Sequence, residues 1–253
     1  MNITIITGAS SGIGQEFALQ LDSLFHNMDE IWLIARRKER LTELSLALHT
    51  KCRVIDMDVT NSASMNQLSE LLAVSKPQIR MLVNCAGFGL MGAVEKLSLE
   101  EQLGMIRLNC EALTEMTYRC LPYMRGGSRI IQMASSAAFL PQANFAVYAA
   151  SKSYVLSFSR ALGQELKKRK IYVTSVCPGP VDTEFFDIAE KYGKTLSVKK
   201  LTMVSADKVV KKAIRDSREK KDISVCGLPI QAFHVLTSLL PHSVIFHIMK
   251  FCK

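Results

Sequence analysis

Short apolar runs rich in β-branched residues alternate with longer stretches of helical period along most of this chain. Strands are predicted at 3–7, 31–35, 53–57, 80–84, 129–134, 172–177 and 223–226. Between them the 3.6-residue period predicts helices. The first, over 13–25, turns Phe17, Leu21 and Leu24 to one face. The second, over 37–48, has Leu41, Leu44 and Leu48 as its stripe. Asn61 can cap a third carrying Met65, Leu68, Leu71 and Leu72. Residues 99–123 and 148–168 read as two long helices, and Ser205 can cap another that runs to about Glu219. Strict βα alternation implies an α/β fold, with a parallel sheet between two helical layers (α/β/α). Right-handed crossovers make it doubly wound, with the ligand crevice outside the carboxyl ends of the strands. Chemistry is therefore expected in the loops that follow strands.

At 253 residues, with no linker-like or repetitive tract, the chain is expected to form one domain over 1–253. The net charge of +9 is spread along the chain without a nucleic-acid-binding motif, so a solvated basic surface is preferred and no nucleic-acid partner is expected. Seven cysteines without a C-x-x-C pair suggest neither a disulfide framework nor a zinc site, and no metal is expected. The start, Met1-Asn2-Ile3-Thr4, enters a strand without a basic leader, which points to the cytoplasm.

The first strand runs into Thr7-Gly8-Ala9-Ser10-Ser11-Gly12-Ile13-Gly14 and then a helix. Glycines permit a tight turn and close approach of a pyrophosphate, and the helix start offers free N–H groups with a positive dipole end. Gly8, Ser10, Ser11, Gly12, Ile13 and Gly14 are thus candidate dinucleotide contacts on a Rossmann-type sheet. After the second strand, an acidic residue would bond a ribose 2′-hydroxyl; here the sequence is Ala35-Arg36-Arg37-Lys38. Guanidinium favours a 2′-phosphate, so NADP(H) is expected, with Arg36 the leading contact and Arg37 the second.

Tyr148-Ala149-Ala150-Ser151-Lys152 places a phenol and an ammonium four residues apart, on one helical face. A free phenol with a pKa near ~10 is a poor base at neutral pH. A neighbouring ammonium, with the positive oxidised nicotinamide, would stabilise phenolate and lower that value, letting Tyr148 exchange a proton with an alcohol or carbonyl oxygen. Ser135 has no G-x-S-x-G elbow, and His26, His49, His234, His242 and His247 lie far from the motif loops, so a hydrolytic triad is unsupported.

The T-G-x-x-x-G-x-G turn and Y-x-x-x-K pair, in this order, resemble the short-chain dehydrogenase/reductase family, and the matching motifs reach from Thr7 to Thr183. The resemblance implies an oxidoreductase moving a hydride between a nicotinamide and a carbonyl or alcohol. It assigns the catalytic serine to Ser135, thirteen residues before Tyr148, with Ser136 the adjacent alternative. It implies a ribose contact for Lys152 and a water-holding proton relay for Asn109, for which helix bending or packing is the plain alternative. Asp58 and Val59 would line the adenine, although Asp58 could equally turn the chain before Asn61. Asn84, Ala86 and Gly87 match the family's N-N-A-G read as N-x-A-G, with Cys85 the departing position; in the other register Val83 stands where the first Asn would be. Pro178, Gly179, Val181 and Thr183 match P-G-x-x-x-T and would hold the carboxamide.

Residues 184–204 correspond to the family's substrate lid. Phe88, Phe139, Phe145, Phe185 and Phe186 are candidate walls for a bulky apolar ketone or secondary alcohol such as a hydroxysteroid, bile acid or acyl compound, and Lys199 and Lys200 could attract an acidic tail. Residues 228–253 read as a C-terminal extension of two short amphipathic helices broken near Pro241. Pocket cover or a subunit contact is preferred there over a membrane surface edged by Lys250 and Lys253, and the family implies a homo-oligomer, dimer or tetramer. A catalytically idle NADP(H)-binding regulator on the same fold is the alternative, one that would be free to lose Asn109, Ser135, Tyr148 and Lys152.

Overall fold

The computed structural model describes residues 1–193, 203–241 and 243–245. The first half runs β1 (Asn2–Thr7), α1 (Gly12–Leu24), β2 (Glu30–Ala35), α2 (Lys38–Ala47), β3 (Cys52–Asp56), α3 (Ser62–Ser75) and β4 (Gln78–Asn84). Then come α4 (Leu99–Ile106), α5 (Leu113–Cys120), β5 (Arg129–Met133), α6 (Ala146–Glu165) and β6 (Tyr172–Val176). After these lie β7 (Val181–Asp182), α7 (Phe185–Ala189), β8 (Val204–Ser205), α8 (Ala206–Arg218), β9 (Ile223–Ser224) and α9 (Leu228–Leu239). Seven strands form one sheet in the order β3-β2-β1-β4-β5-β6-β9, and every pairing in it is parallel. The order reverses between β1 and β4, so a crevice opens at their carboxyl ends.

Strand residues alternate between the two faces. Ile3 and Ile5 join a buried layer with Leu68, Leu72, Met116 and Leu162, supplied by α3, α5 and α6. Ile6 joins the opposite layer with Phe17, Leu21, Leu41, Val210 and Ile214, supplied by α1, α2 and α8. Both faces being covered explains why the strands read as continuous apolar runs.

Several boundaries differ from the sequence pattern. The helix expected over 99–123 is interrupted by a π-helical turn at Arg107–Ala112 and closes in a 3₁₀ turn, Leu121–Tyr123. The wide turn surrounds Asn109, whose carboxamide is bonded away from its own helix. The helix expected over 148–168 begins at Ala146 and passes after Glu165 into a 3₁₀ turn, Lys167–Arg169. Asn61 does cap α3, accepting from Ser64 N at 3.0 Å. Ser205 stands at the cap position of α8, but its hydroxyl makes no capping bond. Pairing of β7 with β8 was not legible; it brings Val181 and Asp182 beside Val204 and Ser205. Helix α9 ends at Leu239, just before Pro241, as expected, and packs Phe233 and His234 on Phe139 at ring distances of 6.3 and 4.4 Å. Lys199, Lys200, His242, His247, Lys250 and Lys253 lie outside the described residues. Among the described residues, no helix is long and apolar enough to cross a membrane, and no cluster of potential ligands could hold a metal ion.

Candidate active site

The glycine turn is held by backbone close approach. Gly8 has φ +67°, and a Cβ there would lie 2.8 Å from Ala86 N. A Cβ on Gly14 would lie 2.2 Å from the Gly8 carbonyl oxygen, so the first turn of α1 can sit on the loop only without a side chain. Thr7 Oγ1 accepts from the N–H groups of Cys85 and Ala86 at 3.1 and 3.2 Å, joining this turn to the end of β4. Thr7 was not singled out from the sequence, although a hydroxyl ending a strand before Gly8 was a readable signal.

No side chain caps the first turn of α1, leaving its N–H groups to an anion. The Ser11 hydroxyl instead accepts from Arg37 Nη2 at 2.6 Å, and the Ser10 hydroxyl from Arg37 Nε at 3.1 Å. Of the two expected arginines, it is the second, Arg37, that bonds the glycine turn. Neighbouring side chains leave an extended strand end on opposite sides, so only one can face the glycine turn. Arg37 does; the Arg36 side chain is 76% exposed and stands 3.9 Å from Asp58. Asp58 Oδ1 accepts from the N–H and hydroxyl of Thr60 at 2.9 and 2.7 Å, the turn-forming arrangement. Burial would raise its carboxyl pKa, but those bonds and Arg36 hold it below the usual carboxylate range. Val59 is buried in the layer of Ile3 and Ile5.

At the other end of the crevice, Ser135 follows β5 and Tyr148 and Lys152 lie on α6. The Ser135 hydroxyl accepts from Ala137 N at 3.1 Å and stands on the same cavity wall as the Tyr148 phenol, whose pKa it lowers. Ser136 instead donates its backbone N–H to Pro178 O at 2.8 Å. The Tyr148 ring stacks on Phe145 at 4.3 Å and meets Phe185 at 5.5 Å. Lys152 Nζ donates to the Met133 carbonyl at 2.7 Å and lies 5.7 Å from the Tyr148 ring centre. Burial pushes the Tyr148 phenol up to about 12, against the smaller opposing effect of Ser135. Burial thus opposes the acidification that the Y-x-x-x-K spacing predicts. Lys152 is itself desolvated, and burial brings it down to about 8.

Asn109 is fully buried. Its Oδ1 accepts from Phe88 N at 3.1 Å, and its Nδ2 donates to Phe88 O at 2.9 Å and Ser151 Oγ at 3.0 Å. The carboxamide thus clamps the loop after β4 to α6. Asn84 does not turn its side chain to the crevice; its Nδ2 donates to Thr117 Oγ1 at 3.1 Å and Gln132 Oε1 at 2.9 Å, bracing the sheet. The reason is register: the last strand residue faces the α5 layer.

A cavity of about 150 Å³ joins these groups. Ile13, Gly87, Ser135, Tyr148, Lys152, Pro178, Gly179, Val181 and Thr183 line it, as do Phe145, Phe185 and Phe186. Two expected walls lie elsewhere: Phe139 packs under α9, and Phe88 packs toward Gly104. The lining residues missed from sequence are Met91, Met133, Ala134, Ala137, Gln142 and Pro180. Cys85 also lines the cavity, and burial pushes its thiol far up, consistent with an unreactive variant. The cradle, the uncapped helix start and the guanidinium on two hydroxyls fit a phosphorylated dinucleotide.

Comparison with known proteins agrees with this geometry. Residues 2–192 match the model of the short chain dehydrogenase family, and the chain belongs to that family of oxidoreductases. It is 34% identical over 193 residues to an NADP-dependent 3-hydroxy acid dehydrogenase of Escherichia coli K12, covering 75% of this chain and 77% of that protein. A short-chain dehydrogenase from Sphingobium yanoikuyae in complex with NADPH superposes with a TM-score of 0.78 at 25% identity, covering 95% of this chain and 97% of the other. A family member from Burkholderia phymatum in complex with NAD shares the fold, with a TM-score of 0.80 at 21% identity over 93% of this chain and 92% of that one.

Proposed function

We propose that this protein is an NADP(H)-dependent reductase and dehydrogenase that interconverts a ketone and a secondary alcohol on an apolar substrate. The observation that carries the reading is that Ser135, half-buried, and Tyr148, buried, share the wall of an aromatic-lined cavity that reaches Ile13 of the glycine turn. Gly8, Ser10, Ser11, Gly12, Ile13 and Gly14 would hold the pyrophosphate end and Arg37 the 2′-phosphate, with Asp58 and Val59 along the adenine and Ala86 and Gly87 lining the cofactor between the two ends. Pro178, Gly179, Val181 and Thr183 would hold the carboxamide. The NADP preference is supported by Arg37 and by the NADP-dependent relative.

When bound, the nicotinamide supplies or accepts the hydride and, when oxidised, a positive charge beside the phenol. Ser135 donates a hydrogen bond to the substrate oxygen, and Tyr148 delivers the proton to that oxygen. A phenol held protonated to about 12 suits this reducing direction at neutral pH. Lys152 bonds the ribose and returns a proton to Tyr148. Because the Asn109 carboxamide is engaged by Phe88 and Ser151, its part in the relay falls to the main-chain carbonyl in the π-helical turn. Met91, Met133, Phe145, Phe185 and Phe186 exclude water and select a bulky apolar carbonyl compound, with a hydroxysteroid, bile acid or acyl compound as candidates. The reading includes a cytoplasmic homo-oligomer, supported by exposed Leu228, Val235, Leu236 and Leu239 on α9 and checked by light scattering.

The test is NADPH consumption over a panel of ketones spanning steroids and 3-oxo acids, with wild type and Tyr148→Phe. Loss of about 10²–10⁴-fold in turnover with NADPH binding retained is expected. Unchanged turnover in the variant overturns the mechanism.

A further inference from the structure

The guanidinium that faces the glycine turn already holds an anion from its own chain. Arg37 Nη1 donates to Glu184 Oε2 at 2.9 Å while its other nitrogens bond Ser10 and Ser11. Arg40 bonds the other oxygen of the same carboxylate. Two guanidiniums thus share one carboxylate at the point where the adenosine end of a dinucleotide would reach. These bonds, from Arg40 and then Arg37, bring the Glu184 carboxyl down to about 2, so it stays charged at any physiological pH.

Glu184 is also the residue before α7. Phe185, one residue on, packs its ring on Tyr148 and lines the cavity. A single side chain therefore links the arginines at one end of the crevice to the aromatic wall at the other, 147 positions from Arg37 in sequence.

Resting on the NADP(H) reading above, we infer that Glu184 is an internal counter-anion of the 2′-phosphate site, a tether that holds α7 to Arg37 and Arg40 until a phosphorylated ribose displaces it. A phosphate dianion and this carboxylate cannot share Arg37 without like-charge repulsion. Phosphate binding therefore releases Glu184, and with it the backbone that positions Phe185. An unphosphorylated ribose has no charge with which to compete and leaves the tether in place. Glu184 is a positioning residue, acting on the nucleotide through Arg37 and on the substrate side through Phe185.

The test is Glu184→Gln, a change at a half-exposed surface site, with NADPH and NADH affinities measured by calorimetry at low and high salt. NADPH binding is expected to tighten about five- to tenfold at low salt, with a smaller gain at high salt, while NADH binding is unchanged. Amide exchange of residues 185–189 supplies a second readout independent of turnover. Adenosine 2′,5′-bisphosphate should speed it in wild type, AMP should not, and the variant should exchange fast without ligand. Equal or weaker NADPH binding by the variant, an equal gain for NADH, or exchange indifferent to the bisphosphate overturns the tether. If wild type binds neither nicotinamide, the NADP(H) reading itself fails and the tether fails with it.

Discussion

Lys152 carries a stability cost that a pH series can read. It is 5% exposed, and burial lowers its pKa from 10.5 to about 8. Below about 8 both folded and unfolded chains hold the proton, and the folded state bears the full cost of burying it. Between about 8 and 10.5 only the unfolded chain stays protonated, so unfolding takes up a proton and stability from this group rises with pH. Above that window both states are neutral and the cost has gone. At 1.36 kcal/mol per pH unit, the gap is worth about 3 kcal/mol. Lys152→Met removes the titration while keeping an unbranched apolar side chain. The assay is urea unfolding under reducing conditions, for wild type and variant, at pH 7 and pH 10. Wild type should gain about 2–3 kcal/mol on the variant between those pH values. Tyr148 and the buried cysteines titrate in both proteins and largely cancel in the difference. A wild type–variant difference that stays constant within about 0.5 kcal/mol would refute a desolvated ammonium at this position.

Arg37→Gln should weaken NADPH binding by about tenfold or more while leaving NADH nearly unchanged, and Arg36→Gln should do neither; calorimetry with both nucleotides decides. Gly14→Ala should cost more than about 2 kcal/mol in denaturant unfolding, since the new Cβ would meet the Gly8 carbonyl at 2.2 Å. Asp216→Asn should cost about 3 kcal/mol, because the buried carboxylate answers Lys212, Lys221 and the Ser224 hydroxyl. Those partners lower its pKa against the opposing effect of burial, so its contribution is present above the ordinary carboxylate range and is lost as pH falls through the lowered value, which acid titration of wild type against the variant would follow.

The sheet was legible because burial on both faces leaves each strand as a continuous apolar run, and the parallel crossovers need helices long enough to show their period. Tyr148 and Lys152 could be paired from spacing, as two positions on one helical face, whereas Ser135 came only from the family's thirteen-residue offset. What the sequence could not show was set by partners distant along the chain. The choice between Arg36 and Arg37 depends on which side of a strand end meets Ser10 and Ser11, a matter of one residue's register. The π-helical turn at Asn109 depends on Phe88, across the crevice, and no local propensity announces it. The phenol's acidity is the sharpest case. Spacing placed an ammonium beside Tyr148, but the outcome turned on a competition between charge and desolvation. Burial of the phenol, with Phe145 and Phe185 packed on its ring, raises its pKa, while the ammonium donates to the Met133 carbonyl. On the proposed function, Tyr148 gives its proton to a substrate oxygen in the reducing direction, and a positive charge beside it would be needed to make the same hydroxyl a base for the reverse.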